Sequence, residues 1–117
     1  MHPPGCQSIF LYDEAVDMRK SFEGLSALVE AAFPGTLLTG SLFLFLNRRR
    51  NLIKVLFWEG DGFVIWYKRL EQAKFHWPRK RFESTVALST EQLQWLLQGL
   101  NIEQLIPHKP LVYQAFT

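Results

Sequence analysis

Three consecutive arginines, Arg48-Arg49-Arg50, lie between Asn47 and Asn51, and a second basic triplet, Arg79-Lys80-Arg81, follows downstream. Lys54, Lys68, Arg69 and Lys74 stand between the two. Guanidinium forks match phosphate oxygens in shape, and lysine ammonium groups meet them as point charges. The ten side chains therefore suit contact with a phosphate backbone. Asn47 could add a base contact, and Trp77 a surface on which an unpaired base stacks. Each feature also has a plainer reading. A charge run is usually a solvated turn, and a large aromatic in a small sheet usually belongs to the core. Trp58, Trp66 and Trp77 all face that choice, and Trp77, beside His76 and Pro78, is the best placed for exposure.

The formal charge of the whole chain is only +2, which hides a separation. Residues 48–81 hold ten basic side chains against Glu59, Asp61 and Glu71. Residues 1–47 carry two basic and five acidic side chains, and residues 82–117 carry one and three. Positive charge concentrated in one segment of a small protein points to a polyanion, with nucleic acid the leading candidate.

Other chemistries find little support. Glu59 and Asp61 flank Gly60, but a magnesium-dependent nuclease needs further acids converging on the metal, and no partners are evident. Asp13, Glu14 and Asp17 form a second acidic run, in which Asp17 reads as a helix cap. His2, His76 and His108 lack metal-ligand spacing, and Cys6 has neither a second cysteine nor a base at readable spacing. No nucleophile-elbow, Walker or dinucleotide motif occurs. The expectation is a chain with no catalytic residue, no metal and no cofactor.

These side chains need a frame, and hydropathy supplies one. At 117 residues, 48% apolar and 15% aromatic, the chain reads as a single domain over 1–117 with a true core. Residues 1–7 read as a flexible lead-in and 107–117 as an irregular tail. One cysteine, no secretory leader and no apolar run near the roughly 20 residues of a membrane span fit a cytoplasmic protein. Ser8–Tyr12 is a short β-prone run. Asp17 then caps a helix over Met18–Phe33, stopped by Pro34-Gly35. Gly24 inside it hints at close packing against another backbone. Leu42–Leu46, Leu52–Trp58 and Phe63–Leu70 read as strands joined by short turns, hence antiparallel neighbours. Lys74–Trp77 reads as a fourth strand closed by Pro78, and Thr85–Leu88 as a short further one. Ser89-Thr90-Glu91-Gln92 has the form of a capping box opening a helix that ends near Gly99.

Alternation divides the strands into two faces. Phe43, Phe45, Ile53, Val55, Phe57, Phe63, Ile65 and Tyr67 can share an apolar face beneath the first helix. Leu44, Leu46, Lys54, Leu56, Trp58, Val64, Trp66 and Lys68 can share a mixed, partly exposed one. The predicted architecture is α+β: a mostly antiparallel four- to five-stranded sheet with a core helix on one face and the C-terminal helix on its flank.

At these residues the chain resembles a known family. DMRKSFEGL (Asp17–Leu25), the stretch from Leu42 to Pro78 and LSTEQLQWLLQGL (Leu88–Leu100) resemble the second-open-reading-frame accessory proteins, called TnpB, of the insertion-sequence-66 group. The DMRK, NRRR, WEGDGF and WYKRL segments in this order carry the likeness. It implies a bacterial helper of transposition, working beside a separate DDE-type transposase that performs the chemistry. DNA binding or bridging to the transposase are the roles it implies. It does not imply the RNA-guided nuclease of the same name, whose acidic catalytic core is absent here. Two departures stand out. The family usually has Gly or another turn former where this chain has Arg50, and its often short, basic C-terminus is replaced here by the apolar run Leu111–Phe116.

Two functions follow as expectations. The first is a DNA-binding accessory protein, acting on element ends or a strand-transfer complex through Arg48, Arg49, Arg50, Lys54, Lys68, Arg69, Lys74, Arg79, Lys80 and Arg81, with Asn47 and Trp77 as base contacts. The second is a protein-interaction module that docks on the transposase or self-associates.

Overall fold

A computed structural model describes residues 8–77, 85–86 and 90–100. The order of elements is β1 (Ile9–Leu11), α1 (Phe22–Ala32), β2 (Leu42–Leu46), β3 (Leu52–Trp58), β4 (Phe63–Arg69), β5 (Thr85–Val86) and α2 (Thr90–Leu97). The strands form one sheet in the order β4-β3-β2-β1-β5. The fold is α+β, but the sheet is mixed rather than antiparallel throughout, because β1 runs parallel to β2. The reason is the connection: a helix lies between them, and a crossover returns the chain in its starting direction where a hairpin would reverse it. β2–β3, β3–β4 and β1–β5 are antiparallel.

All five residues of β2 are buried. The uninterrupted LFLFL run reflects a central strand covered on both faces. On one face Leu25, Val29 and Phe33 of α1 and its C-cap pack on Phe43, Phe45 and Leu56. On the other, Leu93, Leu96 and Leu97 of α2 join Ile9, Leu11, Leu42, Leu44, Leu46, Ile53, Val55 and Phe57. The second helix thus covers a face of the sheet and does not lie on its flank.

The pairing corrects the phase of β3. Leu46 pairs with Ile53, Phe45 with Lys54 and Phe43 with Leu56. Lys54, Leu56 and Trp58 therefore share the α1 side, and Ile53, Val55 and Phe57 the α2 side. A one-residue change in pairing moves every side chain of a strand to the opposite face. Both faces are apolar enough to accept either phase, so the connection between β2 and β3, not hydropathy, decides.

Helix α1 starts later than Asp17. Its N-cap is Ser21, in extended conformation, and no side chain caps it. Asp17 instead holds its own turn. It accepts from the Arg19 backbone N–H at 2.9 Å, and its carboxylate takes the Arg19 guanidinium, with the shortest contact at 2.6 Å. The Arg19 side-chain hydrogen bonds, followed by the backbone bond, lower the Asp17 pKa to about 2. Gly24 does not mark a close backbone approach: a Cβ there would meet the Lys20 side chain at 3.2 Å.

Lys74–Trp77 is not a strand. Its tie to the β2–β3 turn is one backbone bond, from Phe75 N–H to the Arg50 carbonyl at 2.7 Å, with no ladder. Phe75 is buried in the α2-side core. Helix α2 stops at Gly99, which has φ of +87°. Leu100 N–H returns to the Trp95 carbonyl at 3.0 Å, closing the turn as glycine-ended helices commonly do. The lead-in 1–7, the cap residue Ser89 and the tail 107–117 lie outside the described residues.

Candidate nucleic-acid interface

The β2–β3 turn is built by its two asparagines. Asn47 Oδ1 accepts from the backbone N–H of Asn51 and of Leu52, each at 3.0 Å. Asn47 Nδ2 donates to Asn51 Oδ1 at 2.8 Å. Arg50 N–H donates to the Asn47 carbonyl at 3.0 Å. The Asn47 side chain thus shapes the turn that presents the arginines. Asparagine and aspartate commonly bond to backbone just ahead of them in this way.

Arg50 sits at φ +65°, the left-handed region that only glycine enters without steric cost. A glycine would take this conformation without that cost. Arg50→Gly should raise unfolding stability by up to about 1 kcal/mol in a denaturant titration, because strain relieved outweighs the entropy glycine adds to the unfolded chain. If DNA binding uses this guanidinium, the same variant should bind several-fold more weakly, so stability and affinity move in opposite directions.

Arg48 and Arg49 are exposed, and Arg50 is half-buried. Among the described residues the ion pairs are Arg19–Asp17 and a loose Arg69–Glu71 contact at 3.9 Å. The three turn guanidinium groups have no carboxylate partner among those residues. Arg49 and Lys74 line one open depression with Asn51, Leu70 and Glu71. Leu70 N–H donates to the Asn51 carbonyl at 2.8 Å, which docks the chain leaving β4 against the turn. Arg69 is exposed at the end of β4, and Lys68, one residue earlier, lies on the α2 side opposite Ile53. Six of the predicted phosphate contacts, Arg48, Arg49, Arg50, Lys68, Arg69 and Lys74, are therefore gathered at one end of the sheet. Arg79, Lys80 and Arg81 lie outside the described residues.

Lys54 stands apart. Its Nζ donates to the carbonyls of Met18 at 2.8 Å and Lys20 at 2.9 Å, tying the segment before α1 to the sheet. This long-range bond leaves no mark in the sequence, where Lys54 is one more strand cation. Lys54→Met should cost about 1–3 kcal/mol in chemical denaturation, since two carbonyls lose a charged donor, and should leave the salt dependence of any DNA binding unchanged.

Trp77 is half-buried, packs against the α2-side core and donates its indole N–H to the Tyr12 carbonyl at 3.0 Å. It also borders a cleft of about 160 Å³ with Tyr12, Asp13, Glu14, Leu46, Asn47, Arg48 and Arg50. Asp13 and Glu14 bound the basic surface on that side, a neighbourhood that sequence separation conceals. Burial, then Glu14 and Asp13, push the Tyr12 hydroxyl pKa upward.

Over 85 residues the chain is 35% identical to uncharacterized protein y4hO of Sinorhizobium fredii, covering 73% of each. Over 93 residues it is 30% identical to uncharacterized protein y4jC of the same organism, covering 80% of this chain and 79% of the relative. No solved structure matches. The family described as IS66 Orf2 like protein matches residues 7–107. That match takes in the whole sheet, both helices and the arginine turn, and the chain belongs to this family of insertion-sequence-associated accessory proteins.

Proposed function

We propose that this chain is a non-catalytic accessory protein of transposition that binds DNA through the arginine turn and its surroundings, in the cytoplasm of a bacterial host. The observation that carries this reading is the end of the sheet itself. Arg48, Arg49 and Arg50 project from a turn locked by Asn47, with no ion-pair partner among the described residues and Lys74 beside them. Unpaired cations on a fixed turn meet phosphate without first breaking internal salt bridges. Arg48, Arg49, Arg50 and Lys74 form the centre of the surface, with Lys68 and Arg69 at its margin. Arg79, Lys80 and Arg81, which follow Trp77 and Pro78 in the sequence, add to it in this proposal. Asn47 serves it by holding the turn's backbone, Lys54 ties the segment before α1 to the sheet, and Trp77 borders it.

Among the described residues no three His, Cys, Asp or Glu side chains converge to hold a metal ion. Glu59 and Asp61 are exposed in the β3–β4 turn, away from the basic end of β4. Also among the described residues, no helix is long and apolar enough to cross a membrane. Fluorescence anisotropy with labelled element-end DNA and unrelated duplex tests the proposal. Binding at low salt that weakens steeply as salt rises is the expected result, and no binding to either DNA at low salt removes it.

One observation favours the second reading, a protein-interaction module. Ile65 and Tyr67 on the outermost strand are 37% and 50% exposed. A pull-down by the element's transposase that survives loss of Arg48–Arg50, without any DNA binding, would favour it.

A further inference from the structure

Among the described residues, strand β4 is the outermost strand of the sheet and pairs with β3 alone. Its ladder is unbroken from Phe63 to Arg69, and it holds no proline. Bulges and prolines are common means of blunting such an edge. The bonds from Glu59 N–H to the Gly62 carbonyl and from Leu70 N–H to the Asn51 carbonyl fix which residues bond inward. Val64, Trp66 and Lys68 turn their backbone groups to β3, and Phe63, Ile65, Tyr67 and Arg69 turn theirs outward. Those four side chains also share one face, the α1 side. Lys68, which could deter pairing, points to the other face.

The sequence of this edge is self-complementary. We propose that two copies of the chain pair antiparallel through β4, with Ile65 of each copy on the two-fold axis, Phe63 opposite the second copy's Tyr67, and Asp61 beside the second copy's Arg69. In this register the outward backbone groups of Phe63, Ile65 and Tyr67 all find partners, two bonds per pair. Phe63 and Tyr67 form an aromatic cross-strand pair twice over. Asp61, exposed in the turn before β4, meets the Arg69 guanidinium, whose own contact with Glu71 is long and exposed. Sliding the strands by two residues one way brings Asp61 against Glu71 of the second copy, where like charges repel; sliding them the other way sets Glu59 against the second copy's Arg69 but parts both Phe63–Tyr67 pairs and leaves Asp61 opposite Tyr67. Among the described residues, the strand at the other end of the sheet, β5, has two residues.

The pairing joins the two sheets and carries one arginine turn to each end of the assembly. The contact is at the small end of specific interfaces, so the dimer is weak, with a dissociation constant roughly in the micromolar range. The inference goes beyond DNA binding and is tested without DNA.

Sedimentation velocity of the full chain over a range of concentrations gives the dimer constant. Asp61→Arg and Arg69→Asp should each weaken it about tenfold, because two symmetry-related pairs change from attraction to repulsion at once. The double variant restores both pairs and should return to within about threefold of the parent. Circular dichroism and melting confirm that these exposed substitutions leave the fold intact. A parent chain that stays monomeric overturns the proposal, and so does a double variant no better than the single ones. Capture of the transposase that is lost in Ile65→Lys, while the chain alone is monomeric, assigns the edge to that partner and overturns it too.

Discussion

Replacing Arg48, Arg49 and Arg50 together with alanine should lower DNA affinity by roughly a hundredfold or more near 0.1 M salt, and reduce the slope of log affinity against log salt by about 2–3. Each phosphate contact releases condensed counterions, so three lost contacts remove close to three units of slope. The guanidinium groups have no internal carboxylate partner among the described residues, so they carry little of the fold's stability. Denaturation midpoints should therefore change little, with a slight rise if the new residue at position 50 is glycine. An affinity loss of this size with the fold unchanged separates the turn's role in binding from any role in folding. Anisotropy at several salt concentrations, beside a urea titration of the same preparations, reads both.

Phe45→Ala should have the largest effect on stability, about 3–5 kcal/mol. Phe45 is fully buried in the central strand, and its ring lies 5.7 Å from that of Tyr12, centre to centre. Truncation leaves a cavity beneath α1 that the sheet, covered on both faces, cannot close. A loss of this size is a large part of the roughly 5–15 kcal/mol that holds an ordinary domain together. Because β2 ends at Leu46 and runs directly into Asn47, the variant should also loosen the turn and weaken DNA binding in proportion to the unfolded fraction. Tyr67→Ala on the open edge, half exposed, should cost under about 1 kcal/mol in the same assay.

What could be read from residues alone was local. The three hairpin strands, the stop of α1 at Pro34-Gly35 and the short run that became β1 are legible because each depends on neighbours in the chain. The errors came from tertiary contacts and from turn geometry. β1 joins β2 in parallel through a crossover, a fact of tertiary contact. The phase of β3 depended on one residue of turn geometry, since Ile53-Lys54-Val55-Leu56-Phe57 places apolar residues on either side. The start of α1 moved from Asp17 to Ser21 because Asp17 closes a turn on Arg19 instead. Lys74–Trp77 has the residues of a strand, but its bond to the Arg50 carbonyl takes it across the end of the sheet. The site divides in the same way. Arg48–Arg50 at a turn follows from their spacing. The engagement of Lys54 by the Met18 and Lys20 carbonyls, and the seating of Trp77 on Tyr12, join residues far apart in the chain and have no local signature.

The arginine turn and its flank as a phosphate-binding surface is the central claim, and the salt dependence of DNA binding by the unmodified chain tests it most directly. With Arg48, Arg49, Arg50 and Lys74 each on a phosphate, log affinity for duplex DNA should fall linearly with log salt at a slope of about −4, and more steeply if Arg79, Lys80 and Arg81 join them. A slope near zero, or a slope that the triple alanine variant leaves unchanged, contradicts it.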